Sequence, residues 1–112
     1  MTPPPRIWIS NSKPARGELV RVRAQVEHVM ESGLRTDAEG RPRPRNIVRR
    51  FEARLGPVLL LTWEPGIGIA QNPYIEFTFV ARDSAELKLS WVDDQGLTQQ
   101  VSKAVVLTPA SG

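Results

Sequence analysis

The stretch LVRVRAQVEH, residues 19–28, decides the fold, because its residues alternate between apolar and polar from Val20 to Glu27. A period of two sends successive side chains to opposite faces of an extended strand. One face then carries Val20, Val22, Ala24, Val26 and His28, and the other carries Arg21, Arg23, Gln25 and Glu27. The pattern predicts a strand with one face in the core and one in solvent.

Three further stretches alternate in the same way, at residues 47–55, 74–81 and 86–92. Their predicted core faces are Ile47, Arg49, Phe51, Ala53 and Leu55; Ile75, Phe77, Phe79 and Ala81; and Leu87, Leu89 and Trp91. Residues 6–10 and 98–107 are predicted to be the first and last strands. Residues 58–61, VLLL, are apolar on both faces, so we expect both faces to be covered. One face meets the core, and the other meets a partner protein or, equally, loops of this chain.

Turn residues separate these stretches at short intervals. Gly56-Pro57 joins two strands, Pro65-Gly66 begins a loop that runs to Asn72-Pro73, and residues 93–96, DDQG, form a hairpin turn with a left-handed Gly96. About seven strands at this spacing predict an all-β, immunoglobulin-like antiparallel β-sandwich. The 112 residues suit a single domain, with residues 1–5 as an extended, poorly ordered tail.

Residues suited to catalysis are scarce. The chain has no cysteine, so it offers no disulfide, catalytic thiol or thiolate ligand. His28 is the only histidine, and no Gly-x-Ser-x-Gly motif accompanies it. We therefore expect no enzyme activity, no cofactor and no metal site, with His28 hydrogen-bonded to the backbone at a strand end. A hydrolase that uses His28 is the weakest of the hypotheses.

The basic residues are clustered. Twelve of the fifteen are arginine, and six of those lie between Arg41 and Arg54, where Glu52 is the only acid. Such a segment attracts nucleic acid, acidic protein faces or oxyanions, although a solvated basic face is equally compatible with it. Binding to nucleic acid is the alternative function, but it requires exposed aromatic rings among the arginines. Trp8 and Tyr74 are the candidates for exposure.

A long connection, residues 30–46, follows the first alternating stretch. Loops of this length inside a small domain tend to be functional. The order of motifs around it is specific: HVMESGLR at residues 28–35, Asp37 and Gly40, then Pro44-Arg45, followed by GPV at 56–58, NPYIEF at 72–77 and WVDDQG at 91–96. This order, over residues 6 to about 106, resembles the SoxZ family of bacterial thiosulfate oxidation. Val29 departs from the family, which usually has proline after the histidine.

The resemblance implies a non-catalytic subunit of the SoxYZ sulfur-carrier complex. Its partner would be a SoxY-like chain that holds sulfur intermediates on a cysteine near the end of a flexible arm, and other Sox enzymes would contact the complex transiently. The family works in the periplasm, and its members travel with an exported partner. That fits an N-terminus without the apolar region of a signal peptide. No apolar stretch is long enough to span a membrane.

The sequence also places a partner interface. Alternation selects residues expected to form an exposed apolar sheet face, and the long connection adds four that could dock sulfur-processing enzymes. The predicted interface residues are Trp8, Val58, Leu60, Tyr74 and Val80, with Met30, Glu31, Ser32 and Arg35 from the connection.

Overall fold

Seven antiparallel strands in two sheets build the computed structural model, which describes residues 3–109. The strands are β1 (Arg6–Ile9), β2 (Leu19–Gln25), β3 (Val48–Leu55), β4 (Val58–Trp63), β5 (Tyr74–Val80), β6 (Ala85–Asp93) and β7 (Thr98–Val105). One sheet has the order β1-β2-β5 and the other β4-β3-β6-β7. The arrangement confirms the predicted immunoglobulin-like sandwich.

The core lies between the inward faces that the alternation predicted. Val20 and Val22 from β2 and Leu87 and Leu89 from β6 are fully buried. Phe51 stands at the centre: its ring centroid is 4.9 Å from that of Trp91 in the same sheet and 6.3 Å from that of Phe77 in the opposite sheet. Tilted aromatic pairs at these separations add to the hydrophobic gain of burial, so Phe51 ties the two sheets together.

The prediction that Arg49 faces the core is wrong. The pairing of β3 with β6 shifts register between Val48 and Arg50, which is the sign of a β-bulge. The extra residue keeps Val48 and Phe51 both buried and leaves Arg49 exposed, where its Nε donates to the backbone oxygen of Asp93 at 3.3 Å. A strict period of two cannot register a bulge, so the alternation assigned Arg49 to the wrong face.

Of the two covers that we considered for the second face of residues 58–61, loops of this chain are the one that the structure does not provide. β4 is an edge strand, and Val58 and Leu59 are 56% and 45% exposed. A second register shift, opposite Ala53 and Arg54, makes Leu60 the additional residue of a bulge. Leu60 and Leu61 are therefore only half-buried, and no loop of residues 3–109 completes their cover.

The two lateral sides of the sandwich, where the edge strands of the two sheets face each other, differ. On the β1/β7 side, the Val106 and Thr108 amides donate to the Ser12 and Pro14 carbonyls at 3.0 and 2.8 Å, so backbone bonds join the two layers. On the other side, β4 and β5 are both sheet edges, and no backbone bond between them is present in the described part of the chain. The sandwich is thus closed along one side and open along the other.

At the N-terminus, Pro5 is buried, although we assigned it to the poorly ordered tail. The rest of that expectation concerns residues 1–4, of which residues 1 and 2 lie outside the described part.

Candidate functional site

His28 and Asp93 form a buried pair at one end of the sandwich. Asp93 ends β6, and its carboxylate Oδ2 lies 3.2 Å from His28 Nε2, with both side chains more than nine-tenths buried. The other ring nitrogen, Nδ1, lies 2.9 Å from the amide nitrogen of Met30. A backbone N–H can only donate, so Nδ1 accepts and the proton sits on Nε2, which donates to Asp93.

Asp93 also caps the turn that follows it. Its Oδ1 accepts from the Gln95 and Leu97 amides at 2.9 and 3.0 Å, and Gly96 completes the turn with a φ of 81°. The left-handed Gly96 was predicted, and so was the bond from His28 to the backbone. The carboxylate partner was not, because 65 positions separate the two residues and only the fold brings them together.

The chemistry open to this pair is limited. Both ring nitrogens are engaged, and a general base needs one free to take a proton from a nucleophile. A cavity of about 340 Å³ lies beside the pair and is lined largely by side-chain amides, including Asn46, Gln71 and Asn72. None of its lining residues is a serine, threonine, lysine or tyrosine. The arrangement stabilises the fold, and it gives no support to a hydrolase at His28.

The long connection is a hairpin-like arm, which we define as residues 31–45. Paired backbone bonds of 2.9 and 2.8 Å between Glu31 and Asn46 close its base, and the Arg43 amide donates to the Arg35 carbonyl farther out. Asp37 caps the tip by accepting from the Glu39 and Arg41 amides. This segment is therefore an ordered element and not an irregular loop.

Met30, one of the predicted interface residues, is buried and anchors the arm. Its side chain is buried, its Sδ lies 3.2 Å from the Val48 amide, and its φ is 52°. Arg45 provides a second anchor through two bonds of 2.9 and 3.0 Å to Asp94, and its guanidinium lowers the pKa of that carboxyl below the ordinary 3.8. The other interface candidates of the arm stay accessible: Glu31 and Ser32 are half-buried, and Arg35 is exposed.

Acidic residues approach most of the basic segment. Arg41 pairs with Asp37 and Glu39, Arg45 pairs with Asp94, and Arg50 and Arg54 both pair with Glu52. Binding to nucleic acid requires a row of cations free to contact phosphates. These four arginines do not form such a row, because each already lies beside a carboxylate. The exposed aromatics Trp8 and Tyr74 lie on the other sheet, so they do not interleave with the segment.

The outer face of the β1-β2-β5 sheet, which we call the aromatic face, carries cross-strand rows of different chemistry. Register places its residues in four rows: Arg6, Gln25 and Tyr74; Trp8, Arg23 and Glu76; Ser10, Arg21 and Thr78; and Leu19 with Val80. Trp8 and Tyr74 are 48% and 51% exposed, as predicted.

Arg23 lies in the middle of the aromatic face, between Trp8 and Glu76. Its guanidinium carbon lies 4.8 Å from the Trp8 ring centroid, and its Nε lies 3.6 Å from Glu76. Tyr74 donates its hydroxyl proton to Glu76 at 3.0 Å. Partial burial, then this bond and the charge of Glu76, raise the pKa of the Tyr74 phenol. Arg23, Glu76 and Tyr74 thus contact one another or Trp8 on this face.

An apolar groove of about 590 Å³ runs along the open side of the sandwich. Leu19 and Val80 form one wall, and Pro57, Val58 and Leu60 form the other. Because Leu19 and Val80 also make up the last row of the aromatic face, the groove and that face are one continuous surface. Of the predicted interface residues, Trp8, Tyr74, Val80, Val58 and Leu60 all lie on it, whereas Glu31, Ser32 and Arg35 lie on the arm. Sequence reasoning missed Leu19 and the arginines, although the alternation had already placed Arg21 and Arg23 outside.

No group of three or more His, Asp or Glu side chains in residues 3–109 is arranged to hold a metal ion. The same residues include no helix of the length and apolarity that crossing a membrane requires.

The fold and its site define a small immunoglobulin-like β-sandwich whose titratable core groups serve its own structure. Within that class, the chain belongs to the SoxZ family, described as "Sulphur oxidation protein SoxZ", whose model matches residues 9–104. The family assignment confirms the resemblance seen in the sequence and gives the chain a role in sulfur oxidation. No curated protein sequence matches the chain.

Solved structures show the same fold at low identity. Two examples are structures of superoxide reductase (neelaredoxin) from Ignicoccus hospitalis, which match at TM-scores of 0.68 and 0.69 with 18% identity. In each case the match covers 96% of this chain and 82% of the other. At this identity the similarity concerns the fold alone.

Proposed function

We propose that this chain is the non-catalytic subunit of a sulfur-carrier heterodimer, binding a SoxY-like chain whose arm cysteine carries the sulfur intermediates. The observation that carries the proposal is the continuous surface formed by the aromatic face and the groove, on a member of the SoxZ family. Stable partners bury apolar surface that resembles a core cut in half, and the open edge offers such surface.

β4 supports this placement through what it lacks. Its sequence, VLLLTW, contains no charged residue and no proline, the usual protections of an edge strand. Val58 and Leu59 remain exposed on it. The bulge at Leu60 is the one usual protection that this edge keeps. An apolar edge with so little protection is a liability in an isolated chain, whereas in a heterodimer the partner covers it.

The absence of cysteine suits the same role. A carrier thiol that holds reactive sulfur exchanges with other thiols through attack by a thiolate. A partner subunit without cysteine cannot intercept the cargo. The proposed setting is the periplasm, which the chain reaches together with its exported partner, and the arm offers a separate docking surface for the enzymes that process the sulfur.

Co-expression with a SoxY-like chain tests the proposal. We expect one heterodimer peak on size-exclusion chromatography at micromolar concentration, and weaker pairing for Leu60→Asp and Tyr74→Ala. Ser102→Asp and Gln100→Ala, exposed on the outer face of the other sheet, are the controls and should pair normally. Separate elution of the wild-type chains refutes the partner. Normal pairing of both Leu60→Asp and Tyr74→Ala refutes the surface.

A further inference from the structure

The two outer faces of the sandwich differ in chemistry. The outer face of the β4-β3-β6-β7 sheet, the polar face, is built from rows of Leu59, Arg54, Lys88 and Ser102; Thr62, Glu52, Ser90 and Gln100; Arg50, Val92 and Thr98; and Glu86 with Ala104. It holds no aromatic side chain, and its charges of both signs are interspersed, as on an ordinary solvated surface. The aromatic face instead combines tryptophan, tyrosine and arginine, the residues enriched at binding hot spots.

Two arginines of the aromatic face are left without a carboxylate. Arg23 pairs with Glu76, but within residues 3–109 neither Arg6 nor Arg21 has an acidic side chain within ion-pair distance. Both residues are exposed. The strand positions of this face thus carry three arginines against one glutamate, and the excess charge flanks the row of Trp8.

Register fixes the spacing of that charge. Arg6 is paired with Gln25, and Gln25 lies four positions from Arg21 along β2. At about 3.4 Å per residue and about 4.8 Å between strands, the two Cα atoms are roughly 14 Å apart. Trp8 lies in the row between them, with its ring against the Arg23 guanidinium.

We propose that the carrier partner docks on the aromatic face with an acidic surface, placing carboxylates against Arg6 and Arg21 and an apolar side chain against Trp8 between them. This inference rests on the proposed function for the identity of the occupant. The separation of the Arg6 and Arg21 Cα atoms equals that between residues i and i+4 of one strand, so two acidic residues at such positions of a partner strand match them in spacing.

Each part of the surface has a different physical task. The unpaired guanidiniums steer the approach and select an acidic partner, since charges at a rim act mainly on the association rate. Trp8 and the apolar groove supply the buried contact that slows dissociation. Because Arg23 is already fixed between Trp8 and Glu76, little side-chain freedom is lost at the centre on binding.

Charge reversal tests the proposal on the whole chain with its purified carrier partner. The test variant is Arg6→Glu/Arg21→Glu, and the matched control is Arg50→Glu/Lys88→Glu on the polar face, which changes the net charge equally. Association is measured by stopped flow at about 10 mM and about 150 mM salt, where the screening lengths are about 30 and 8 Å. We expect the test variant to associate at least about tenfold more slowly at low salt and to lose most of the salt dependence. The control should stay within about twofold of wild type.

The outcomes separate this inference from the proposed function. Absence of any heterodimer with the wild-type chain removes the proposed function and the inference with it. If the heterodimer forms but neither variant changes its association rate, or both variants lower that rate equally, the proposed function stands and docking on the aromatic face is overturned. A wild-type chain that instead self-associates through this face also overturns it. If the two subunits cannot be purified separately, wild-type and variant chains that carry different tags are co-expressed with a limiting amount of the partner. The ratio of the two tags in the purified heterodimer then gives the same comparison.

Discussion

Replacing Asp93 with asparagine is the sharpest test of the buried pair. All three groups that reach this carboxylate are donors: His28 Nε2 at Oδ2, and the Gln95 and Leu97 amides at Oδ1. An asparagine has one acceptor oxygen and one NH₂ group, so one of the two sides must set a donor against a donor. His28 cannot relieve the conflict by moving its proton to Nδ1, because the Met30 amide already donates there.

The size of the effect follows from which of these groups is buried. The His28 ring is buried, so an unsatisfied Nε2–H costs about 1–3 kcal/mol. If the NH₂ group instead faces the Gln95 and Leu97 amides, which belong to exposed residues of the turn, the two hydrogen bonds at Oδ1 are lost. Only one of the two conflicts arises at a time, so the loss is about 2 kcal/mol, a large fraction of the roughly 5–15 kcal/mol of a domain, and it lowers Tm by roughly 10 °C.

Urea denaturation followed by circular dichroism measures the loss. Asp83→Asn is the matched control, because the Asp83 side chain is 80% exposed. Its ion pair with Arg16, which is 72% exposed, is long at 3.7 Å and therefore weak. We expect its free energy of unfolding to change by less than about 0.5 kcal/mol. A loss for Asp93→Asn no larger than the control's would show that the pair does not stabilise the fold. A double-mutant cycle with His28→Ala should give a coupling of about 1–2 kcal/mol.

Three further outcomes are expected near the same end of the sandwich. Met30→Ala should lower the free energy of unfolding by about 2–4 kcal/mol in urea, because a buried anchor and its contact with the Val48 amide are lost; an effect below about 1 kcal/mol would contradict its burial. Asp94→Asn should cost more stability at pH 6 than at pH 2. Arg45 lowers the pKa of Asp94 in the folded state below the ordinary 3.8, so the stabilisation is complete above 3.8 and is lost as the pH falls through the folded-state pKa. A cost independent of pH would contradict this reasoning. Long-range ¹⁵N NMR at pH 7.5 should place the His28 proton on Nε2, and a proton on Nδ1 would contradict the hydrogen bond from Met30.

The sequence predicted the fold well because alternation reports burial directly. Residues 19–28 kept their predicted inward face from Val20 to His28, and Phe51, Leu87 and Trp91 are buried as expected. Alternation failed at Arg49, where an extra residue enters a strand. A bulge depends on the neighbouring strand as well as on local sequence, so a single stretch does not reveal it.

The candidate site was less predictable, because its members meet only through strand pairing. Trp8 and Tyr74 were correctly selected as exposed aromatics, but their common row pattern with Arg23 and Glu76 depends on the register of three strands. Met30 was assigned to the surface because it begins a long polar connection, whereas the fold turns it inward at a positive φ.

The buried polar groups of this domain serve its own structure, which leaves the surface as the place where it can bind another molecule. The one histidine is held by Asp93 and by a backbone amide, so its protons and lone pairs are committed to structure. The closed side of the sandwich is sealed by backbone bonds, and the exposed strand β7 is protected by its glutamines and Lys103. β4 alone among the edges combines an uncharged apolar sequence with exposed side chains, and it adjoins the one outer face that carries aromatic rings. That one side is protected and the other left uncovered supports the proposal that a second chain covers β4.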